Sequence, residues 1–320
     1  MRTISKFPFV VIAASLLALV ISACSGAGGG VVPGGVRLSD DFEAPQVIAR
    51  IDSTLINESS GLTASKCREG VLWTHNDSGG GPYIYAVDLK GGLLGIWKVK
   101  GANDRDWEDI ASTKEGGRCF LYIGDIGDNG EKHGHVKVYR VEEPIVGDSG
   151  TVNRKKDAEL TAEAREIRFR YSGGSRNAET LLVHPETRDI YVVTKKRGDS
   201  AEVYLLQGEH WGQESGARRA LVADKVGDVR VPAILGGFIT GGEISPDGRR
   251  IALCDYINAF EYIVPVDGRA LHDAFKSSPS VIDTGPREQG EAIAYSLDGK
   301  ALLLTSEDSP SPLIKVKRKE

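Results

Sequence analysis

Residues 243–248 read Glu-Ile-Ser-Pro-Asp-Gly, and residues 291–299 read Glu-Ala-Ile-Ala-Tyr-Ser-Leu-Asp-Gly. Each is a Glu, a short apolar run and an Asp-Gly turn, the dipeptide that supplies the backbone of a tight hairpin. A second apolar run follows in each, Ile251–Cys254 and Leu302–Thr305, and after a polar loop a third, at 259–264 and 313–318. Further back, the same order opens at Glu58, Glu108 and Glu179. Their second runs are Val71–His75, Phe120–Gly124 and Ile190–Thr194, and their third runs Tyr83–Asp88, Val136–Val141 and Glu202–Leu206. The period-two alternation of the last two marks them as strands.

Successive openings lie 50, 71, 64 and 48 residues apart, and a four-stranded propeller blade takes about 40–50 residues. Fourth strands are predicted at 95–101, 164–171, 218–226 and 279–285. The last repeat reaches Glu320 with only three strands. Its fourth is available at the other end of the chain, in residues 46–56, and a blade completed from both termini removes the open edges of the ring. The expectation is an all-β, five-bladed β-propeller over 46–320, its last blade closed by the N-terminal strand. The long second interval leaves room for an extra strand pair, so a six-bladed ring is the alternative. Helix is scarce, with one turn expected at 271–276.

Composition agrees. The chain has 320 residues, 27% charged and 40% hydrophobic, as in an ordinary soluble domain. Its 39 Gly and 13 Pro suit short strands and tight turns. A formal charge of −5 without basic runs makes a poor nucleic-acid binder, and a single Met excludes a Met-rich adaptable surface.

The N-terminus reads as an address. Arg2 and Lys6 precede an apolar stretch from Phe7 to Val20, too short to span a bilayer and of the length of a signal h-region. Ile21-Ser22-Ala23-Cys24 follows and resembles a bacterial lipoprotein lipobox. The resemblance implies that 1–23 are a cleaved signal peptide and that Cys24 carries lipid, palmitate included, anchoring an exported protein to the bacterial cell envelope. An ordinary secretory signal is the other reading. Residues 24–45, with their Gly-rich start, are expected to be a flexible tether. Of the other cysteines, Cys254 sits in an apolar run and reads as a buried thiol. Cys67 and Cys119 occupy similar places in neighbouring repeats, so a bridge between them is open.

In a propeller the first strand of each blade lines the axis, and the second returns to the face where the first begins. The five Glu residues (Glu58, Glu108, Glu179, Glu243 and Glu291) and the loops after the second strands are therefore expected at one channel mouth. Those loops carry His75, Asn76, Asp77, Asp125, Asp128, Asn129, Lys195, Lys196, Asp255 and Glu307. Five carboxylates around a narrow axis raise one another's pKa. A hard divalent cation, with Ca²⁺ suited to oxygen-only ligands, resolves this. Alternatively each Glu latches onto backbone N–H groups of the next blade. The His133-Gly134-His135 pair reads as a solvated loop, with a zinc pair as the sharper alternative.

The strings at 59–62 and 72–89 with "LWTHNDSGG", at 106–144 with "DWEDIA", "LYIGDIGDN" and "VYRVEEP", and at 177–193 with "NAETLLVHP" resemble a family of uncharacterised bacterial exported propeller proteins. More distantly the pattern is similar to calcium-activated nucleotidases (apyrases) and phytase-like propellers. That likeness implies an axial Ca²⁺ held partly by Glu residues, matched by position to the five above, and substrate at the channel mouth. Two functions compete. One is a lipid-anchored, cation-stabilised module binding a small molecule, glycan or protein at the mouth. The other is a Ca²⁺-dependent phosphoester hydrolase, in which Asp77 or His75 acts as base and Lys195 or Lys196 neutralises charge.

Overall fold

The computed structural model describes residues 31–320 apart from 33–35, 148–153, 197–199, 213–219, 233–237, 267–269 and 308. The expected signal peptide and the expected lipid site, Cys24, lie outside the described residues. A two-residue ladder joins β1 (Val31–Val32) to β2 (Val36–Arg37), and β3 (Gln46–Ile51) follows. The remainder is a succession of antiparallel meanders, as the Asp-Gly turns and period-two strands demand.

The first meander is β4 (Ser59–Ala64), β5 (Val71–Asn76), β6 (Tyr83–Asp88) and β7 (Leu93–Lys100). The second is β8 (Trp107–Glu115), β9 (Arg118–Asp125) and β10 (Val136–Glu142). It skips β11 (Glu159–Glu163) and is completed by β12 (Arg165–Tyr171). The third is β13 (Ala178–Val183), β14 (Ile190–Thr194), β15 (Ala201–Leu206) and β16 (Leu221–Val229). The fourth is β17 (Gly241–Ile244), β18 (Arg250–Cys254), β19 (Asn258–Ile263) and β20 (Ser280–Asp283). The last is β21 (Gly290–Tyr295), β22 (Ala301–Ser306) and β23 (Ser311–Lys317), and its fourth strand is β3, paired antiparallel to β23. The turn expected at 271–276 is a short 3-10 helix, Leu271–Lys276. No helix among the described residues is long and apolar enough to cross a membrane.

The core is divided in the same way. β4 packs on β8, β8 on β13, β13 on β17, β17 on β21, and β21 back on β4. Five apolar clusters lie between neighbouring meanders. Trp73 and Trp107 join the first two, Tyr122 and Val192 the second and third, and Leu253 and Val203 the third and fourth. Cys254 and Leu304 join the fourth and fifth, and Leu72 and Leu303 the fifth and first. Burial of alternate side chains on both faces of each sheet follows from this placement. At about 25 cal/mol per Å² it is the main favourable term.

Three features depart from expectation. The surplus length of the second interval goes into β11, which pairs parallel to β7 and covers the outer edge of the first meander. The outer strands β12 and β16 also pair in parallel, so the second and third meanders share one eight-stranded sheet. Finally, packing begins before Gln46. Ser39 N–H donates to the Val281 carbonyl, Glu43 N–H to that of Lys317, and Phe42 is buried beneath the Arg318 guanidinium, 4.5 Å from the ring centre. The expected tether of 24–45 therefore ends short of its last residues.

Cys67 and Cys119 form a disulfide that staples the first meander to the second. Cys254 is the buried free thiol expected, its pKa pushed up to about 12 by burial.

Candidate functional site

The registers Ser59↔Asn76, Trp107↔Asp125, Ala178↔Thr194, Gly241↔Cys254 and Gly290↔Ser306 bring the start of each first strand and the end of each second strand to the same end of its sheet. The loops picked from the sequence therefore share one face. The side chains on them divide into three groups.

The first group is a carboxylate cluster. Asp77, just after β5, meets Asp106 and Glu108, which lead into β8. One oxygen from each lies within 4.8 Å of the others. Among the described residues this is the one such group of three His, Cys, Asp or Glu side chains. Asp106 lies in a bend just before β8, and Glu108 sits where the register of β8 is interrupted, so both carboxylates are presented at the start of the strand. Gly127, in the Gly-Asp-Ile-Gly-Asp-Asn loop, leaves the space they need. A Cβ there would stand 2.0 Å from Glu108 Oε1 and 2.5 Å from an Asp106 carboxylate oxygen. Asp125 positions the cluster, its Oδ1 accepting the Asp106 N–H at 2.9 Å. Asp125 Oδ2 and Asp104 Oδ1 are buried without a hydrogen-bond donor.

The electrostatics follow from this crowding. Burial raises the Asp106 pKa to about 6, with Asp77 and Asp125 adding to the shift and Arg105 opposing it. Burial, then Glu179, Asp77 and Asp106, push Glu108 well above the ordinary range. Asp104 and Asp125 are raised for the same first reason. Oxygen-only ligands, with two unsatisfied carboxylate oxygens on the neighbouring Asp104 and Asp125, suit a hard cation such as Ca²⁺.

The second group lies beside it. Glu108, Glu179 and Glu291 occupy matching positions at the start of β8, β13 and β21, each on a residue that interrupts its strand register, and all three are almost wholly buried. Lys195 Nζ lies 2.7 Å from Glu179 Oε1. Gln289 Nε2 donates to Glu291 Oε1 at 3.1 Å and also to Glu307. Burial, then Glu179, raises the Glu291 pKa to about 8.

The other two expected members of the ring sit elsewhere. Glu58 is exposed and precedes β4, where Ser60 holds the matching position. Glu243 is buried three residues further along its strand than the matching Thr240. There it accepts from the Tyr295 N–H and the Thr63 hydroxyl at 2.5 Å each, and from Lys66 Nζ at 3.2 Å. The Tyr295 bond is the latch role, reaching the next meander, whereas Thr63 and Lys66 belong to the first meander. Asp109, missed in the sequence, does the same by accepting the Leu181 N–H at 2.9 Å.

The third group closes loops. Asn76 is buried, donates to the Leu55 carbonyl at 2.7 Å and accepts from the Glu58 N–H. Asp128 accepts the Lys132 and His133 N–H groups, and Asp255 those of Ile257 and Asn258. Asn129 is exposed and accepts from Asn177, and Lys196 is exposed. His75 is fully buried, edge-on to Trp107, with Nδ1 2.9 Å from the Asn76 carbonyl and Nε2 without a partner. It occupies the room left by Gly61, where a Cβ would stand 2.7 Å from Nε2. Burial lowers its pKa, so it stays neutral and out of reach of a solvent-borne substrate. His75 and Asn76 thus leave the list of ligand contacts because each is spent inside the fold. His133 and His135 are not members of the carboxylate cluster.

No protein-family model matches the chain, and no curated protein is similar to it.

Proposed function

We propose that the chain is a five-bladed β-propeller, exported and held to the bacterial cell envelope by lipid on Cys24, that acts as a cation-stabilised binding module with its site at the channel mouth. The unbroken cycle of first strands and the five inter-sheet clusters support the blade count. The observation that carries the function is the convergence of Asp77, Asp106 and Glu108 to within 4.8 Å, beside carboxylate oxygens that lack donors. A Ca²⁺ ion there is held by the Asp77–Asp106–Glu108 side of the mouth. It leaves coordination positions facing the opening for a small molecule, glycan or protein group. The hydrolase reading loses two of its four candidate groups, because His75 is buried and Lys195 is bound to Glu179. Binding is therefore favoured over hydrolysis.

Calcium titration of chelator-treated protein tests the reading. A bound ion raises stability by about 2.7 kcal/mol at a hundredfold excess over Kd. An unchanged melting temperature over the titration removes the cation. The anchor is tested separately, by the loss of fatty-acid labelling and of membrane association in Cys24→Ser.

A further inference from the structure

Lys195 follows β14, and its backbone N–H is bonded to the Asn177 carbonyl at 3.0 Å. From there its side chain turns into the mouth. Nζ sits 2.7 Å from Glu179 and 5.5 Å from the centre of the Tyr256 ring, within the range of a cation–π contact. Glu108 and Glu291 hold the positions in β8 and β21 that match Glu179 in β13. These four neighbours come from four different meanders: the second, third, fourth and fifth. A bare ring of carboxylates would only repel itself. This ring already holds an ammonium, with an aromatic face on one side.

We propose that Lys195 is a tethered counter-cation: its ammonium fills a cage made by Glu108, Glu179, Glu291 and Tyr256, and that cage is a binding site for an alkylammonium group which the protein keeps occupied by its own side chain. This deepens the cation-binding reading, on which it rests in one respect only. The divalent ion is confined to the Asp77–Asp106–Glu108 side because the axial position beside Glu179 is taken. An ion seated at both places would put a divalent charge next to the ammonium with Glu108 shared between them, and repulsion at that range opposes it. Removing the lysine ammonium opens a second cation position.

Two measurements test this. In the parent protein, acylation with a succinimidyl ester followed by mass spectrometry compares Lys195 with its exposed neighbour Lys196. Each unit by which an environment raises an ammonium pKa lowers the free amine about tenfold, so Lys195 is expected to label at least about tenfold more slowly. Equal rates overturn the proposal, and this arm does not depend on any variant folding. In Lys195→Met, melting in chelator is followed against ethylammonium chloride and against sodium chloride at the same ionic strength. Ethylammonium is expected to raise the melting temperature saturably in the variant and to leave the parent unmoved. Identical responses to the two salts overturn the proposal. Calorimetric titration with calcium then separates the cage from the divalent site. One equivalent in the parent and two in Lys195→Met supports both. Ethylammonium rescue with no calcium binding in the parent keeps the cage and removes the divalent site. One equivalent in each without rescue removes the cage and keeps the divalent site.

Discussion

Asp106→Asn removes one of three charges that crowd within 4.8 Å while keeping the side-chain shape beside Gly127. Two routes give the size of the penalty it relieves, which is burial of the charge together with repulsion. Charges at that spacing interact by about 3 kcal/mol at an effective dielectric of 20. A pKa pushed up from the ordinary 3.8 to about 6, first by burial and then by Asp77 and Asp125, corresponds to roughly 3 kcal/mol against the ionised form. The site is partly open to solvent, which reduces either figure to about 1–2 kcal/mol. In chelator at neutral pH, Asp106→Asn should therefore melt above the parent, by roughly 2–4 °C for each kcal/mol in a body of this size. Saturating calcium should reverse the order. The parent gains the binding energy, about 2.7 kcal/mol at a hundredfold excess, and the variant, with a ligand missing, gains little. Thermal melts of both proteins, with calcium and with chelator, give the four numbers needed. Refutation comes from a variant that melts at or below the parent in chelator, or from equal calcium gains in the two.

The same acids set a pH dependence. Asp106 and Glu291 have folded pKa values raised to about 6 and about 8, so over the window from about pH 4 to 8 the folded state holds more protons than the unfolded one, and its stability falls as pH rises. Urea melts of chelated protein should show that fall, and calcium should flatten it; a profile rising from pH 5 to 8 contradicts the assignment. The Cys67–Cys119 disulfide joins residues 52 apart, for which the chain-entropy model gives about 4 kcal/mol. The double Cys→Ser variant should lose up to that amount in denaturant melts, and an unchanged midpoint would mean that the staple adds nothing. Deleting 24–37 should leave the midpoint unmoved, whereas deleting 24–56 removes β3 and bares the β23 edge, so aggregation or a large loss of stability is expected. A longer deletion that melts like the parent would refute closure of the last sheet by β3.

What was legible in the sequence was whatever depends on local chemistry. Asp-Gly turns and period-two runs place β17, β18, β21 and β22 to within two residues, and the three-strand remainder at Glu320 pointed to 46–56 as the missing partner, of which Gln46–Ile51 makes the pairing. Two of the three members of the carboxylate cluster, Asp77 and Glu108, were also chosen from the sequence; Asp106 was missed because it sits in a bend before β8, where no strand alternation points to it. Glu58 and Glu243 were misplaced because a Glu near a strand start is aligned by eye to the nearest repeat. A shift of two or three residues along a strand changes its depth by several ångströms and, when odd, its face. Register is set by hydrogen bonding to the neighbouring strand, and no single segment encodes that.

Tertiary structure alone decided the rest. Asp77 meets Asp106 only because the first meander packs on the second through Trp73 and Trp107. His75, two residues from Asp77, is buried because Gly61 leaves it a hole to fill. Lys195 stands in a polar loop after β14, but it is drawn inward by Glu179 and Tyr256. The Coulomb energy of such a pair grows as solvent is excluded. Exclusion is a property of the whole ring, made by side chains more than a hundred residues apart.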